Sequence, residues 1–150
     1  MPQTYSAIYL HLVFSTKDRH ALLADSFRPA LHSYLGGMLK ERKSIPLAIN
    51  SMPDHIHILC SLPRTITVAD LLQDLKRVSS KWIKNQDESS SLFQWQEGYG
   101  AFSISTNQIP RVKIYIANQQ EHHRKIAFQE EFLWLLKKHG VEYDPRYIWD

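Results

Sequence analysis

Pro53-Asp54-His55-Ile56-His57-Ile58-Leu59 reads as a β-strand entered through a proline turn, with two histidines separated by a single apolar residue. Side chains alternate between faces along a strand at about 3.3 Å per residue, so His55 and His57 point the same way, roughly 6–7 Å apart. Ile56 and Ile58 go to the other face. Two imidazoles so placed can converge on one metal ion or sit side by side unused. Residues 45–51 read as a second short strand, and Met52-Pro53-Asp54 joins the two as an antiparallel hairpin. Cys60 falls on the isoleucine face and reads as a buried thiol.

Upstream, residues 5–14 (YSAIYLHLVF) form a strand with Ile8, Leu10, Leu12 and Phe14 on one face and Tyr9, His11 and Val13 on the other. His11 reads as a half-buried sheet histidine, and residues 15–19 as a polar exit loop. Residues 26–43 carry Phe27, Leu31, Tyr34, Leu35, Met38 and Leu39 at helical spacing, with Asp25 or Ser26 as cap and Gly36-Gly37 as a weak point.

Downstream, Thr67 caps a helix over 68–84, with Asp70 in its first turn and Leu71, Leu72, Leu75, Val78 and Trp82 facing inward. Arg77, Lys81 and Lys84 run along one side of it. Residues 85–91 (NQDESSS) form a polar loop, where order is least expected. Gly98 and Gly100 bend the chain into a strand over 101–105. Asn107 is the candidate cap of a helix that carries Pro110 in its first turn and runs to His123, with Tyr115 and Gln119 neighbours on one face. A last helix spans 128–139 and stops at Gly140; the tail 141–150 is aromatic enough to pack on the body.

Strand, helix, strand, strand, helix, strand and then further helices is the order of an α+β, ferredoxin-like split β-α-β antiparallel sheet. Its crossover helices lie on one face, and C-terminal helices carrying the tyrosine are added to it. The 150 residues fit one domain, 1–150, with 43% hydrophobic and 22% charged residues. No apolar run approaches the roughly 20 residues of a membrane helix, so no membrane partner is expected. The start, Met1 to Ser6, lacks the basic region of a signal peptide, and a single cysteine rules out an internal disulfide. Both favour a cytoplasmic location. Eighteen basic against fifteen acidic residues give a net charge of +3. The basic residues flank the elements described above, while the acidic ones collect toward the C-terminal third.

A His-x-His pair leaves coordination positions open, as catalytic metal sites do. A zinc finger would need four protein ligands, and Cys60 points away. Gln119, Asp54, His122 and His123 are candidate third ligands; the last two also suit a helix C-terminus as cations. Tyr115 has a phenol of pKa near 10 when free, a poor nucleophile until a neighbour or a metal activates it.

Four stretches together resemble one family: HLVFSTKDR at 11–19, MPDHIHIL at 52–59, WQEGYGAFS at 95–103 and YIANQ at 115–119. They resemble the HUH single-tyrosine transposases of small bacterial insertion sequences, the IS-two-hundred-like group, over nearly the whole chain. The resemblance implies a site in which His55, His57 and Gln119 hold Mg2+ or Mn2+ and Tyr115 attacks a DNA phosphate. The products are a 5′-phosphotyrosine and a free 3′-hydroxyl. It further implies a single-stranded DNA substrate with hairpins, no small-molecule cofactor, and a homodimer whose tyrosine helix serves the partner's histidines. Lys17, Arg19, Arg77, Lys81, Arg111 and Lys113 are the expected DNA-backbone contacts. Gln96, Tyr99 and Phe102 either approach the site or shape the sheet edge. The competing readings are a domesticated enzyme nicking repetitive genomic hairpins, a non-catalytic ferredoxin-like nucleic-acid-binding module, and a metal hydrolase of small phosphoesters.

Overall fold

The computed structural model of the chain describes residues 3–150; Met1 and Pro2, the start of the N-terminal stretch read above, lie outside the described residues. The elements are β1 (Tyr9–Ser15), α1 (Arg28–Glu41), β2 (Pro46–Met52), β3 (His55–Ser61), α2 (Val68–Lys84), β4 (Gly100–Ile104), α3 (Ile109–Ala117), α4 (Gln119–His122) and α5 (Phe128–Lys138). The β2–β3 hairpin turns on Pro53-Asp54, with Met52 paired to His55. Thr16 holds that turn: its backbone N–H donates to the Asp54 carbonyl at 2.9 Å, and its hydroxyl reaches the same oxygen at 3.1 Å. The strands order as β2-β3-β1-β4 with every neighbouring pair antiparallel, which is the ferredoxin-like α+β sheet.

Alternation along β1 and β3 divides the side chains cleanly. Leu10, Leu12, Phe14, Ile56, Ile58 and Cys60 meet Leu31, Leu35 and Leu39 of α1 and Leu71, Leu72 and Leu75 of α2 in the main core. Burying each such side chain contributes on the order of 2 kcal/mol. Cys60 is wholly buried there, and burial pushes its thiol up to about 11. The opposite face is covered by the C-terminal helices: Val13 and Phe102 pack against Phe128, Leu135 and Leu136, and Leu59 and Ile104 against Ile116. His11, His55 and His57 share this second face.

Several bounds differ from the sequence reading for local reasons. β1 begins at Tyr9 rather than residue 5, where pairing with Ser61 and Ile104 begins. Neither Asp25 nor Ser26 caps α1; Asp25 instead pairs with Arg28, and Pro29 sits in the first turn. The polar loop 85–91 is ordered by a 3-10 turn at Glu88–Ser90, in which the Asp87 carboxylate accepts from the Ser90 N–H at 2.8 Å. Asn107 does not cap α3; it accepts from the Ser105 hydroxyl at 2.5 Å in a 3-10 turn that precedes the helix. The helix expected over 107–123 is broken at Asn118 into α3 and α4. Gly98 takes φ +84, as the bend at that position required.

Candidate active site

The β3 strand places the His55 and His57 rings on the C-terminal-helix face, with centroids 5.1 Å apart and neither side chain exposed. Each ring is fixed through its Nδ1. His55 Nδ1 donates to the Asp54 carboxylate at 2.7 Å, and His57 Nδ1 shares a proton with His11 Nε2 at 2.8 Å. Both Nε2 atoms point to one place.

The chain is delivered to that place by Asn50 on β2, whose amide donates to the Ile116 carbonyl at 2.8 Å, one residue before α3 ends. The break at Asn118 that follows starts α4 at Gln119, which is fully buried. Gln119 Oε1 lies 3.3 Å from His55 Nε2 and 2.9 Å from His123 Nε2, while its amide nitrogen donates to Glu131 Oε2 at 3.0 Å. His123 Nδ1 donates to the Ile126 carbonyl at 2.8 Å. Tyr115, half-buried on α3, donates its hydroxyl to Glu131 Oε2, and its ring meets His57 edge-on at 5.9 Å.

Glu131 is the residue that the sequence reading missed. It lies in the first turns of α5, where the helix dipole favours an acid, and it is wholly buried. Its Oε1 stands 3.3 Å from His55 Nε2, 2.9 Å from His57 Nε2 and 3.1 Å from His123 Nε2. Ligand-capable atoms of His55, His57, His123 and Glu131 all lie within 4.8 Å of one another. His122 Nε2 is 3.4 Å from Glu131 Oε2 and makes no hydrogen bond among the described residues.

The charges follow from this packing. Burial alone would raise the Glu131 carboxyl, but the hydrogen bonds of His123, His55 and His57 hold it far below the usual carboxylate range. Burial opposes charge on His55, yet the carboxylates of Asp54 and Glu131 overcome it and bring the ring to about 9. His57 has only Glu131 to offset its burial and falls to about 4. Burial and the Glu131 carboxylate push the Tyr115 phenol well above its free value.

The sequence-predicted residues thus divide. Tyr115, His55, His57 and Gln119 meet within one chain, and of the other ligand candidates His123 joins them while Asp54 orients His55 from behind. Arg19 lines a cavity of about 280 Å³ beside Asp54 and His123, and Arg111 one of about 220 Å³ beside Tyr115. Lys17 and Arg77 line a groove with Lys76 and Tyr99, where α2 meets the loop after it. Lys81 and Lys113 are exposed and line neither cavity. Gln96 and Tyr99 shape the sheet edge: the Gln96 side chain accepts from the Asp18 N–H at 2.8 Å, and Tyr99 lies against Lys76. Phe102 is next to the site, its ring 6.3 Å from that of His11.

Fold and cluster define the class: a ferredoxin-like sheet whose central strand presents two histidines to a tyrosine on a following helix. The chain belongs to the family described as "Transposase IS200 like", which matches residues 4–119. It is 24% identical over 118 residues to the ISDra2 transposase TnpA of Deinococcus radiodurans, covering 74% of this chain and 83% of that protein. A crystal structure assigned to a transposase of Deinococcus radiodurans superposes with a TM-score of 0.61 at 22% identity, over 79% of this chain and 96% of the other. The structure of a REP-associated tyrosine transposase bound to a REP hairpin gives 0.60 at 15% identity, over 82% and 73%. No helix among the described residues is long and apolar enough to cross a membrane.

Proposed function

We propose that this transposase cleaves and rejoins single-stranded DNA through Tyr115, with a divalent ion of the magnesium or manganese kind held by His55, His57 and Gln119. One observation carries the reading: the Tyr115 hydroxyl, both histidine Nε2 atoms and the Gln119 amide nitrogen converge on the single carboxylate of Glu131, with the Gln119 oxygen beside His55 Nε2. The donor set fits such an ion. His55 donates from Nδ1, because a carboxylate only accepts, so Nε2 is the nitrogen turned toward the Gln119 and Glu131 oxygens. A divalent ion among these nitrogens and oxygens would supply positive charge to the buried Glu131 carboxylate.

When bound, the ion would draw charge from the non-bridging oxygens of the scissile phosphate. The rest falls to the chain. Tyr115 supplies the attacking oxygen: it gives up its proton as its bond to phosphorus forms and the bond to the 3′-oxygen breaks, and the departing 3′-oxygen takes up a proton, leaving a 5′-phosphotyrosine and a free 3′-hydroxyl. The linkage keeps the bond energy, so rejoining needs no nucleotide. Glu131 holds the phenol in place through its hydroxyl, and Asp54 and His11 keep the imidazoles turned toward the reacting phosphate. Of the six cations expected to contact DNA, Arg19 and Arg111 border the site on either flank. A fold relative bound to a hairpin agrees with hairpin DNA as the substrate. A cytoplasmic location suits this reading.

Incubation with Mn2+ and labelled single-stranded hairpin DNA is expected to give a protein–DNA adduct on a denaturing gel. Tyr115→Phe loses the adduct and the cleavage but keeps hairpin binding. Cleavage by the phenylalanine variant at the wild-type rate would overturn the assignment.

A further inference from the structure

We propose that His123 and Glu131 complete the ion's ligand set, so that the site takes a borderline transition ion of the Mn2+, Co2+ or Zn2+ kind in preference to Mg2+. The inference rests on the reading of His55 and His57 as ion-holding residues and extends it to two side chains beyond residues 4–119, where the family match ends.

The first ground is how His123 is anchored. Its Nδ1 lies 2.8 Å from the Ile126 carbonyl, which can only accept, so Nδ1 carries a proton and Nε2 is the nitrogen turned inward. That nitrogen faces Gln119 Oε1 at 2.9 Å and Glu131 Oε1 at 3.1 Å. The amide cannot turn to help, because its nitrogen already donates to Glu131 Oε2. His123 therefore repeats the arrangement of His55, whose outward nitrogen is held by a carboxylate and whose inward nitrogen meets the same two oxygens. A ring nitrogen tied to a carbonyl or carboxylate, with the other aimed at a shared point, is how metal-binding histidines are held.

The second ground is Glu131. Its Oε1 stands among three imidazole nitrogens at 2.9–3.3 Å, while Oε2 takes the hydrogen bonds of Tyr115 and Gln119. One oxygen thus faces the common point and the other faces the nucleophile. A carboxylate with no exposed surface is costly to bury unless charge meets it. Ring protons would meet that need as an ion would, and the two cases are separable by titration.

The third ground is donor chemistry. Three imidazole nitrogens with an amide oxygen and a carboxylate oxygen suit manganese, cobalt or zinc. Magnesium demands near-octahedral oxygen ligation and keeps several waters, for which three nitrogens are a poor substitute.

The test is titration of the full chain with Mn2+, by electron paramagnetic resonance of the free ion, alone and against Mg2+. One Mn2+ per chain is expected, bound at least tenfold more tightly than Mg2+, and His123→Ala and Glu131→Gln each weaken it tenfold or more. Equal competition by Mg2+, or wild-type Mn2+ affinity in both variants, would overturn the proposal. Tighter binding by Glu131→Gln would do so too, since it would make Glu131 a plug in the ion's place. Should a variant fail to fold, the Co2+-loaded wild type gives an independent readout. Three hyperfine-shifted, exchangeable ring N–H resonances are expected, from His55, His57 and His123; two would overturn it. Failure of the transposase reading looks different: a chain that binds Mn2+ as described yet forms no Tyr115 adduct with any hairpin.

Discussion

Gly100→Ala tests whether the seat of α5 on the sheet sets the site. An added Cβ at Gly100 would lie 2.9 Å from the Phe132 ring and 3.0 and 3.1 Å from the Phe102 ring, against 3.4–4 Å for ordinary contact. Two rings must therefore give way by a few tenths of an ångström, and overpacking of this kind costs about 1–3 kcal/mol. For a chain of this size that lowers Tm by roughly 3–10 °C. Phe132 follows Glu131 on α5, and Phe102 lies against His11, so the displacement passes straight to the cluster. Gly98→Ala is the control: its φ of +84 makes a side chain strained, at a cost of about 1–2 kcal/mol, but nothing lies within 4 Å of the new carbon. The two variants are expected to melt at similar temperatures by circular dichroism, while only Gly100→Ala loosens Mn2+, several-fold. Equal loosening in both, or an unchanged melt and affinity in Gly100→Ala, would refute the idea that this contact positions Glu131.

His55, held near 9 by Asp54 and Glu131, contributes stability that is fully present below its unfolded value of 6.5 and is lost as pH rises through 9. The gap amounts to about 3 kcal/mol, so chelator-treated protein should melt several degrees lower at pH 9.5 than at pH 6.5. Asp54→Asn should flatten that slope, and a flat wild-type profile would refute the account. Mixing Tyr115→Phe with His57→Ala should restore no cleavage if the tyrosine serves its own chain's histidines; recovered cleavage would show the site to be shared between subunits, as in the dimer that the resemblance implies. Arg19→Ala and Arg111→Ala should each weaken single-stranded DNA binding and lower its salt dependence by about one unit of log–log slope. The exposed Lys113→Ala should do neither, and equal effects from all three would remove Arg19 and Arg111 from the path.

The hairpin and the helix over 68–84 were legible because each is written in local periodicity. His55 and His57 alternate with isoleucines, and Thr67 accepts from the Asp70 N–H at 3.1 Å as a cap should. The break at Asn118 was not legible, because its companion contact comes from Asn50 on β2, 66 residues before Ile116. Glu131 was hidden differently. In the run Phe128-Gln129-Glu130-Glu131 it looks like one of two solvated acids at a helix start, yet it lies three residues after Phe128 and four before Leu135, both buried. An acid inside an apolar stripe was the available signal. His123 is one of four candidate third ligands by sequence and could not be singled out from His122; its ring is fixed by the Ile126 carbonyl, a contact within the turn before α5 that residue spacing does not encode.

The family match ends at Gln119, and the residues after it bring the third imidazole, His123, and the carboxylate of Glu131. Residues 4–119 carry Tyr115, His55, His57 and Gln119, but no buried acid faces those Nε2 atoms from within that span; Asp54 is spent on the far side of His55. Without Glu131, Tyr115 would lose the acceptor of its hydroxyl and Gln119 the partner that aims its oxygen inward. The segment after Gln119 therefore meets the Tyr115 hydroxyl and the pair of histidines with one carboxylate. That is why a change on α5, outside the matched residues, is expected to act at the tyrosine as directly as a change on α3.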